Sequence, residues 1–231
     1  MYVYGKNVAI EYLNGNKKID KVFIQDKFND FDIINKIKNK NIKVQQLSKI
    51  DMDKKVNGLH QGIILSVPDY KYADIYDIIS DEDSLIVMLD HIEDPHNFGA
   101  IIRSCEAAGV DGIIIPTDRS VEVNSTVIKT SVGTTEKMKI ARVTNLNSTI
   151  KLLKDKGYWI FGTDMEGTDY TKLDYKGKTC IICGNEGSGI SKLVHDNCDF
   201  IASIPMKGEV NSLNASVATA IIVFEAIKQR G

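Results

Sequence analysis

The polar residues with the clearest chemical potential follow apolar runs directly, in loops that contain glycine or proline. The run that ends at Leu89 leads into residues 90–99, with the sequence DHIEDPHNFG. Cys183 leads into residues 184–189, GNEGSG, and Ile204 leads into PMKG. Glycine lets backbone approach a ligand closely, so several such loops at one edge of a sheet indicate a binding site. A single loop of this kind indicates only a turn between a strand and a helix.

Several common chemistries do not fit these residues. Residues 184–189 are not G-x-G-x-x-G, and no G-x-x-x-x-G-K-[ST] segment is present, which argues against NAD and ATP. Cys180 and Cys183 form a C-x-x-C without the second pair that a zinc site needs, so we predict a buried core pair. The four histidines show no metal-ligand spacing. We therefore expect no metal.

The elements that position these loops alternate along the second part of the chain. Helical stretches at 98–108, 146–156 and 190–196 separate the apolar runs, and the last helix at 212–230 has Leu213, Val217, Ile221, Phe224 and Ile227 close to a helical spacing. Alternating strands and helices predict an α/β domain whose parallel strands are buried on both faces, with ligands bound beyond the carboxyl ends of the strands. The five apolar runs that predict these strands are 85–89, 112–115, 158–161, 179–183 and 200–204.

The first part of the chain predicts a separate small α/β unit. Strand-like segments at 21–25, 42–47 and 61–67 accompany a helix at 31–39. Residues 68–84 begin with a proline and end in the acidic cluster DEDS, and this composition predicts a linker. We therefore predict an amino-terminal domain at 1–67, an acidic linker at 68–84 and a second domain at 85–231.

Composition and charge narrow the class of protein further. The chain has 231 residues, 43% of them hydrophobic and 26% charged, which is typical of a globular protein. No apolar run is long enough to cross a bilayer and the start lacks a signal peptide, so we expect a soluble, cytoplasmic protein with no membrane association. Residues 1–75 carry thirteen lysines against nine acidic residues, although the whole chain has a net charge of −2. This asymmetry indicates either an anionic partner such as nucleic acid or a lysine-rich solvated surface.

Three segments together resemble a known family. Residues 94–104 (DPHNFGAIIRS), 184–189 (GNEGSG) and 204–216 (IPMKGEVNSLNAS) are similar, in this order, to motifs 1, 2 and 3 of the SpoU (TrmH) branch of the SPOUT RNA methyltransferases. The resemblance covers residues 85–229. Residues 1–67 resemble the small RNA-substrate domain of the family, and the pair of domains is most similar to bacterial 23S rRNA guanosine 2′-O-methyltransferases.

This resemblance implies a fold, a cofactor and a set of site residues. The second domain would contain a trefoil knot, and the knotted loops would bind S-adenosylmethionine largely through backbone groups. The implied cofactor contacts are Gly184, Ile204 and Leu213, followed by Gly162, Thr163 and Met206. The motif positions imply catalytic roles for Arg103, Asn97, Glu186, Ser212 and Asn214.

The resemblance also implies partners and roles. The partners would be 23S rRNA and a second copy of the chain, with Arg103 serving the site of the other subunit. A guanidinium is hard to deprotonate, so we expect Arg103 to hold a substrate phosphate and stabilise a developing alkoxide, with a role as base left open. Considered singly, Asn97 and Ser212 are also plausible caps of the helices that follow them. The alternatives are a tRNA ribose methyltransferase and a catalytically inactive RNA-binding or ribosome-assembly protein.

Overall fold

The computed structural model describes residues 1–210 and 212–231, which form two compact units. The first unit contains Met1–Lys71 together with Val123–Thr135, and the second contains Tyr72–Glu122 together with Glu136–Gly231. Contacts therefore assign residues 123–135 to the first unit, although the sequence pattern put them in the second domain. The division into a first domain at 1–67, a linker at 68–84 and a second domain at 85–231 stays a prediction.

The first unit is built on a four-stranded sheet. The strands are β1 (Tyr2–Tyr4), β2 (Lys21–Gln25), β3 (Val44–Leu47) and β4 (Ile63–Ser66), in the order β1-β4-β2-β3. Only β2 and β3 are parallel. The helices are α1 (Lys6–Asn14), α2 (Phe31–Asn39) and α3 (Lys49–Lys55). The predicted strand at 21–25 and helix at 31–39 are confirmed at both ends, whereas β1, α1 and α3 were not predicted.

The second unit contains a six-stranded parallel sheet. Its strands are β5 (Leu85–Asp90), β6 (Gly112–Pro116), β7 (Ile140–Val143), β8 (Trp159–Asp169), β9 (Thr179–Gly184) and β10 (Phe200–Ser203). Their order is β10-β8-β9-β5-β6-β7, and every neighbouring pair is parallel. Every residue of β5 and β6 is buried, which confirms the prediction that these apolar runs are covered on both faces. The short strand β7 was not predicted.

Helices α4 (Pro95–Ala108), α6 (Leu146–Asp155), α7 (Lys192–Asp196) and α8 (Ala215–Arg230) belong to the second unit, whereas α5 (Ser125–Thr130) belongs to the first. The alternative interpretation of Asn97 and Ser212 as helix caps does not hold for either residue. Asp94 caps α4 and Pro95 occupies its first turn, so Asn97 lies inside the helix. Asn214 caps α8 by accepting from the backbone N–H of Ser216 and Val217, so Ser212 is not the cap.

Helix α8 packs against α4, but two of its large apolar side chains stay exposed. Val217 and Phe224, which the sequence placed on the apolar face, are 46% and 49% exposed. The buried residues of α8 are Ala215, Thr219, Ile222, Val223 and Ala226.

Two further sequence expectations concern the second unit. Cys180 and Cys183 are both buried, which confirms the prediction of a core pair. The end of the predicted linker is ordered on this unit, because Ala73 bridges to Ala141 and Ile78 is buried in the core. None of the described helices is long and apolar enough to span a membrane.

Candidate active site

A cavity of about 370 Å³ lies where β8, β9 and β10 end. Its walls come from four stretches of chain: residues 163–165 of β8, residues 183–189 at the end of β9 and after it, the residues around the end of β10, and the start of α8. The last two stretches contribute Ala202, Ile204, Met206, Ser212, Leu213, Ala215, Ala218 and Ile222. The cavity lies at the carboxyl ends of parallel strands, which is the usual position of a ligand site in such sheets. Because much of the wall is backbone or apolar side chain, the cavity suits a ligand with an extended uncharged portion.

The cavity brings together five of the six residues expected to contact a cofactor. Gly184, Thr163, Ile204, Met206 and Leu213 all line it. The sixth predicted residue, Gly162, does not line the cavity. Residues from three distant stretches of chain therefore meet at one cavity, as the strand-end loops predicted.

Gly162 is needed for packing. A Cβ at this position would lie 2.7 Å from Cys198 Sγ and 2.8 Å from Ile190 Cδ1. Both distances are shorter than real side chains allow, so β8 approaches its neighbours closely only because residue 162 is glycine. Because Gly162 does not line the cavity, the structure supports a packing role for it and not a direct contact with a cofactor.

A bulge in β8 shapes the cavity wall. Gly162 pairs with Ile201, but the next residue of β10, Ala202, pairs with Thr168. Residues 163–167 therefore leave the ladder between two consecutive pairs, and Ser203 Oγ holds the excursion by donating to Met165 O at 2.7 Å. Bulges commonly redirect side chains beside active sites. Here the bulge presents residues 163–165 to the cavity.

The loop after β9 folds back on itself at Gly184. Asn185 and Gly189 exchange two backbone hydrogen bonds, of 3.1 and 2.8 Å. A Cβ at Gly184 would lie 2.1 Å from the carbonyl carbon of Gly189 and 2.3 Å from the backbone nitrogen of Ile190. The glycine is therefore required by the loop itself, because the return of the chain fills the space that a side chain would need.

A hydrogen-bond network joins the three motif segments at the cavity. Glu186 Oε1 accepts from Asn97 Nδ2 at 2.9 Å, from the backbone N–H of Ala215 at 3.2 Å and from Asn214 Nδ2. Asn214 Nδ2 also donates to Asn97 Oδ1 at 2.9 Å. Asn97 is buried in the first turn of α4, whereas Glu186 and Asn214 are exposed. One carboxylate oxygen thus ties the start of α4, the loop after β9 and the start of α8 together.

The two remaining predicted catalytic residues lie apart from this network. Ser212 is exposed and lines the cavity, next to Leu213. Arg103 lies two turns into α4 and is exposed, and it is not one of the residues that line the cavity. Of the five predicted catalytic residues, Glu186 and Ser212 line the cavity. Asn97 and Asn214 are linked to it through their hydrogen bonds to Glu186, whereas Arg103 neither lines the cavity nor belongs to this network.

Sequence reasoning missed a buried carboxylate beside the site. Asp90, at the end of β5, is 1% exposed. Its Oδ2 accepts from the backbone N–H of Ser191 at 2.6 Å, and its Oδ1 contacts Nδ1 of His91. Asn185 Nδ2 donates to His91 O at 3.2 Å. These contacts fix both ends of the loop after β9 to the end of β5. In the sequence, the signal for Asp90 was a charged residue placed directly at the end of an apolar run.

The titratable groups around the cavity do not supply a cysteine nucleophile. Burial raises the pKa of the Cys183 thiol to about 11, and hydrogen bonds with the Thr219 and Thr163 side chains oppose that shift only in part. Burial raises the pKa of Cys198 to about 12. These thiols are protonated at neutral pH and therefore poor nucleophiles. Among the described residues, no group of three or more His, Cys, Asp or Glu side chains could hold a metal ion.

Comparison with known proteins identifies the chain. The profile of the SpoU rRNA Methylase family matches residues 84–224, and that of the RNA 2′-O ribose methyltransferase substrate binding family matches residues 2–73. The chain belongs to the SpoU methylase family. It is an RNA methyltransferase, and the resemblance expected from the three motifs is confirmed.

Relatives of this SpoU methylase match along almost its whole length. A protein of Staphylococcus saprophyticus, named as a TrmH family tRNA/rRNA methyltransferase, is 42% identical over 99% of this chain and 95% of its own length. The protein YacO of Bacillus subtilis, named in the same way, is 37% identical over 99% of this chain and 96% of its own length.

Solved structures agree with this assignment. An AdoMet-bound rRNA methyltransferase from Sinorhizobium meliloti is 26% identical, with a TM-score of 0.81 over 98% of this chain and 86% of that one. The methyltransferase AviRb from Streptomyces viridochromogenes, in complex with AdoMet, has a TM-score of 0.85 at 23% identity over 99% of this chain and 89% of that one, which shows a shared fold. A TrmH/SpoU tRNA modifying enzyme of A. aeolicus is 32% identical and covers 64% of this chain and 78% of its own, with a TM-score of 0.58.

Proposed function

We propose that this SpoU methylase transfers a methyl group from S-adenosylmethionine to the ribose 2′-oxygen of a guanosine in 23S rRNA. The observation that carries the proposal is the network in which Glu186 joins Asn97 and Asn214 at the cavity. The network unites the three segments that identify the family, and its Glu186 lines the cavity. A substrate-binding family match over residues 2–73 supports an RNA substrate.

The cofactor is S-adenosylmethionine, and the cavity fits it in size and chemistry. A volume of about 370 Å³ lies in the range of roughly 300–1,000 Å³ that small-molecule sites occupy. The backbone of 184–189 offers hydrogen-bonding groups for an adenine, and Ile204, Leu213 and Ile222 offer an apolar surface for its faces. Asp164 and Glu186 place negative charge at the wall, which suits a cationic sulfonium.

When bound, S-adenosylmethionine supplies a methyl group that is already strongly electrophilic. The protein must then align a ribose oxygen with that methyl group and stabilise the charge that forms as the 2′-OH proton leaves. Glu186 Oε1 already accepts three N–H groups, so we assign it a positioning role rather than that of a base. Asn97 and Asn214 are held by that oxygen and orient the sugar, while Ser212 and Leu213 limit its position.

We assign Arg103 to the site of a second subunit. It is exposed on α4 and outside the cavity of its own chain, so it is free to reach a partner. Val217 and Phe224 on α8 form an exposed apolar stripe that supports a homodimer. From the partner, the Arg103 guanidinium holds a phosphate and stabilises the alkoxide. The trefoil knot implied by the family remains part of this proposal, and so does a cytoplasmic location.

A mixing experiment tests the shared site. Chains with Arg103→Ala are combined with chains whose cofactor loop is blocked by a bulky side chain, Gly184→Trp, and heterodimers are purified by two affinity tags. One of the two composite sites is then intact, so we expect up to half of the wild-type methylation rate from two inactive parents. A purified heterodimer as inactive as its parents would contradict the assignment of Arg103.

The rRNA substrate is favoured over tRNA by the extent of structural similarity. The S. meliloti rRNA enzyme matches 98% of this chain, whereas the A. aeolicus tRNA enzyme matches 64%. An inactive RNA-binding protein is disfavoured because the network of Asn97, Glu186 and Asn214 is complete. Ribose-methylation mapping of rRNA and tRNA from a deletion strain tests all three. Loss of one 23S rRNA guanosine methylation, restored by the wild-type gene, is expected; loss of a tRNA methylation would redirect the proposal.

A further inference from the structure

One face of the sheet in the first unit carries a row of aromatic side chains. Tyr4 on β1 and Phe23 on β2 are both paired with Ile64 on β4, so their side chains point to the same side. Tyr2 lies two residues before Tyr4 and points to that side as well. Tyr4 and Phe23 are buried, whereas Tyr2 is 37% exposed and meets Phe23 edge to face, with ring centroids 5.8 Å apart.

Two lysines lie over the Phe23 end of this row. Lys21 Nζ is 5.1 Å from the centroid of the Phe23 ring. Lys55 Nζ, from the end of α3, is 4.5 Å from the same centroid and 5.3 Å from that of Tyr2. The face of an aromatic ring attracts a cation. The rings therefore hold both ammonium groups on one side of the sheet.

A third lysine reaches the same face from a distant part of the chain. Lys129 of α5 lies with Nζ 4.7 Å from the centroid of the Tyr4 ring and donates to Leu59 O at 3.1 Å. Since β4 separates β1 from β2, Lys129 and Lys21 lie over strands about 10 Å apart. We call these three residues the lysine cluster: Lys21, Lys55 and Lys129.

The charge of the lysine cluster is not neutralised by an ion pair among the residues that the structure describes. The acidic residues nearest to it in sequence are engaged elsewhere: Asp20 with Lys18, Asp51 with Lys54, and Asp53 with His60. In the part of the chain that the structure describes, no ion pair involves a member of the cluster. The first unit as a whole carries fourteen lysines and eight acidic residues. The cluster is therefore available to a negatively charged partner.

We propose that the lysine cluster and Tyr2 form the surface on which the first unit binds the sugar-phosphate backbone of its RNA substrate. This inference rests on the proposed function and specifies the residues that recruit the RNA. Ammonium groups held at fixed positions neutralise phosphates, and the exposed part of the Tyr2 ring offers a stacking surface to an unpaired base. An acidic protein would not need the exposed ring, so RNA is the partner that this combination favours.

The test measures RNA binding by the full-length protein. The triple variant K21Q/K55Q/K129Q is compared with wild type and with the α2 variant K36Q/K38Q/K40Q. The α2 variant removes equal charge from α2 and from the residue that follows it, and these lysines contact none of the rings among the described residues. Binding to an in vitro transcript of 23S rRNA is titrated between 50 and 200 mM salt. Losing three phosphate contacts lowers the slope of log affinity against log salt by about 2 to 3. The α2 variant should keep the slope of the wild type.

Two further variants separate charge and stacking from folding. The triple Lys→Arg variant keeps the charge and the ring contacts, so it should bind RNA like wild type. Tyr2→Ala should weaken binding, whereas Tyr2→Phe should not. S-adenosylmethionine affinity, which depends on the other unit, should be unchanged in all of them. A K21Q/K55Q/K129Q variant with the RNA affinity and salt slope of wild type would refute the lysine cluster. Failure of wild type to methylate the transcript would instead refute the proposed function.

Discussion

Replacing Gly184 with alanine tests why the cofactor loop needs a glycine. The added Cβ would lie 2.1 Å from the carbonyl carbon of Gly189 and 2.3 Å from the nitrogen of Ile190, both of them backbone atoms that cannot rotate away. The loop must therefore open, which breaks the two hydrogen bonds between Asn185 and Gly189. Overpacking of this kind costs about 1–3 kcal/mol.

That cost should be visible with and without cofactor. A destabilisation of about 1–3 kcal/mol lowers the melting temperature of the ligand-free protein by about 2–12 °C. Closing the loop around S-adenosylmethionine requires the same free energy again, so the dissociation constant should rise by about 5- to 150-fold. Differential scanning fluorimetry and isothermal titration calorimetry measure the two effects.

Gly208→Ala is the matched control, because a Cβ there meets nothing within 4 Å and the residue lies outside the cavity lining. It should leave both quantities unchanged. A Gly184→Ala protein that loses cofactor affinity but keeps the wild-type melting temperature would refute the reasoning. In that case the side chain would be colliding with the ligand and not with the loop.

Three other outcomes follow from the site. Asp90→Ala should lower the melting temperature by about 2–12 °C, since it leaves the Ser191 N–H without its acceptor at a cost of about 1–3 kcal/mol. Asp90→Asn keeps an acceptor and should cost less; equal losses would show that only the charge matters. The free energy of unfolding should fall by about 3 kcal/mol because of Cys183 alone as the pH rises from about 8.5 to about 11, since the native thiol stays protonated in that window while the unfolded thiol ionises. Urea unfolding at pH 8 and 10.5 should show this loss in wild type but not in Cys183→Ala. The same pH dependence in both proteins would contradict the prediction. Calorimetry in a chelator should show unchanged S-adenosylmethionine affinity, and loss of binding would mean that a metal takes part.

The sequence predicts the second unit well where local pattern decides the structure. Runs such as LIVML form fully buried parallel strands because no polar residue interrupts them. The strand-end loops predict the cavity for the same reason, since parallel strands direct their carboxyl ends to one edge. Asn97, Glu186 and Asn214 were identified by family motifs, but their mutual contacts span up to 117 residues and have no local signal.

Other features depend on competition that a sequence pattern does not resolve. Asn97 and Asp94 are both good helix caps, and Pro95 decides in favour of Asp94 because proline is tolerated in the first helical turn. In α8, the helical spacing predicts that Val217 and Phe224 are buried, but both are about half exposed. Helix α8 packs mainly against α4 and β9, which lie far from it in the sequence, so the local pattern does not determine which face they cover. The assignment of residues 123–135 to the first unit depends on long-range packing of Val127 and Ile128, which nothing nearby in the sequence predicts.

The split origin of the first unit has a consequence for synthesis of the protein on the ribosome. The unit is complete only when α5 is available, yet β5, α4 and β6 of the other unit are translated between Lys71 and that helix. At about 5–20 residues per second, the ribosome needs several seconds to make this interval. During that time the amino-terminal sheet has formed its strands but lacks Lys129 and the two apolar side chains of α5. A nascent chain arrested before residue 123 should therefore hold an unfinished first unit. That unit can be completed only after β5 and β6, two of the six strands of the parallel sheet, have been made.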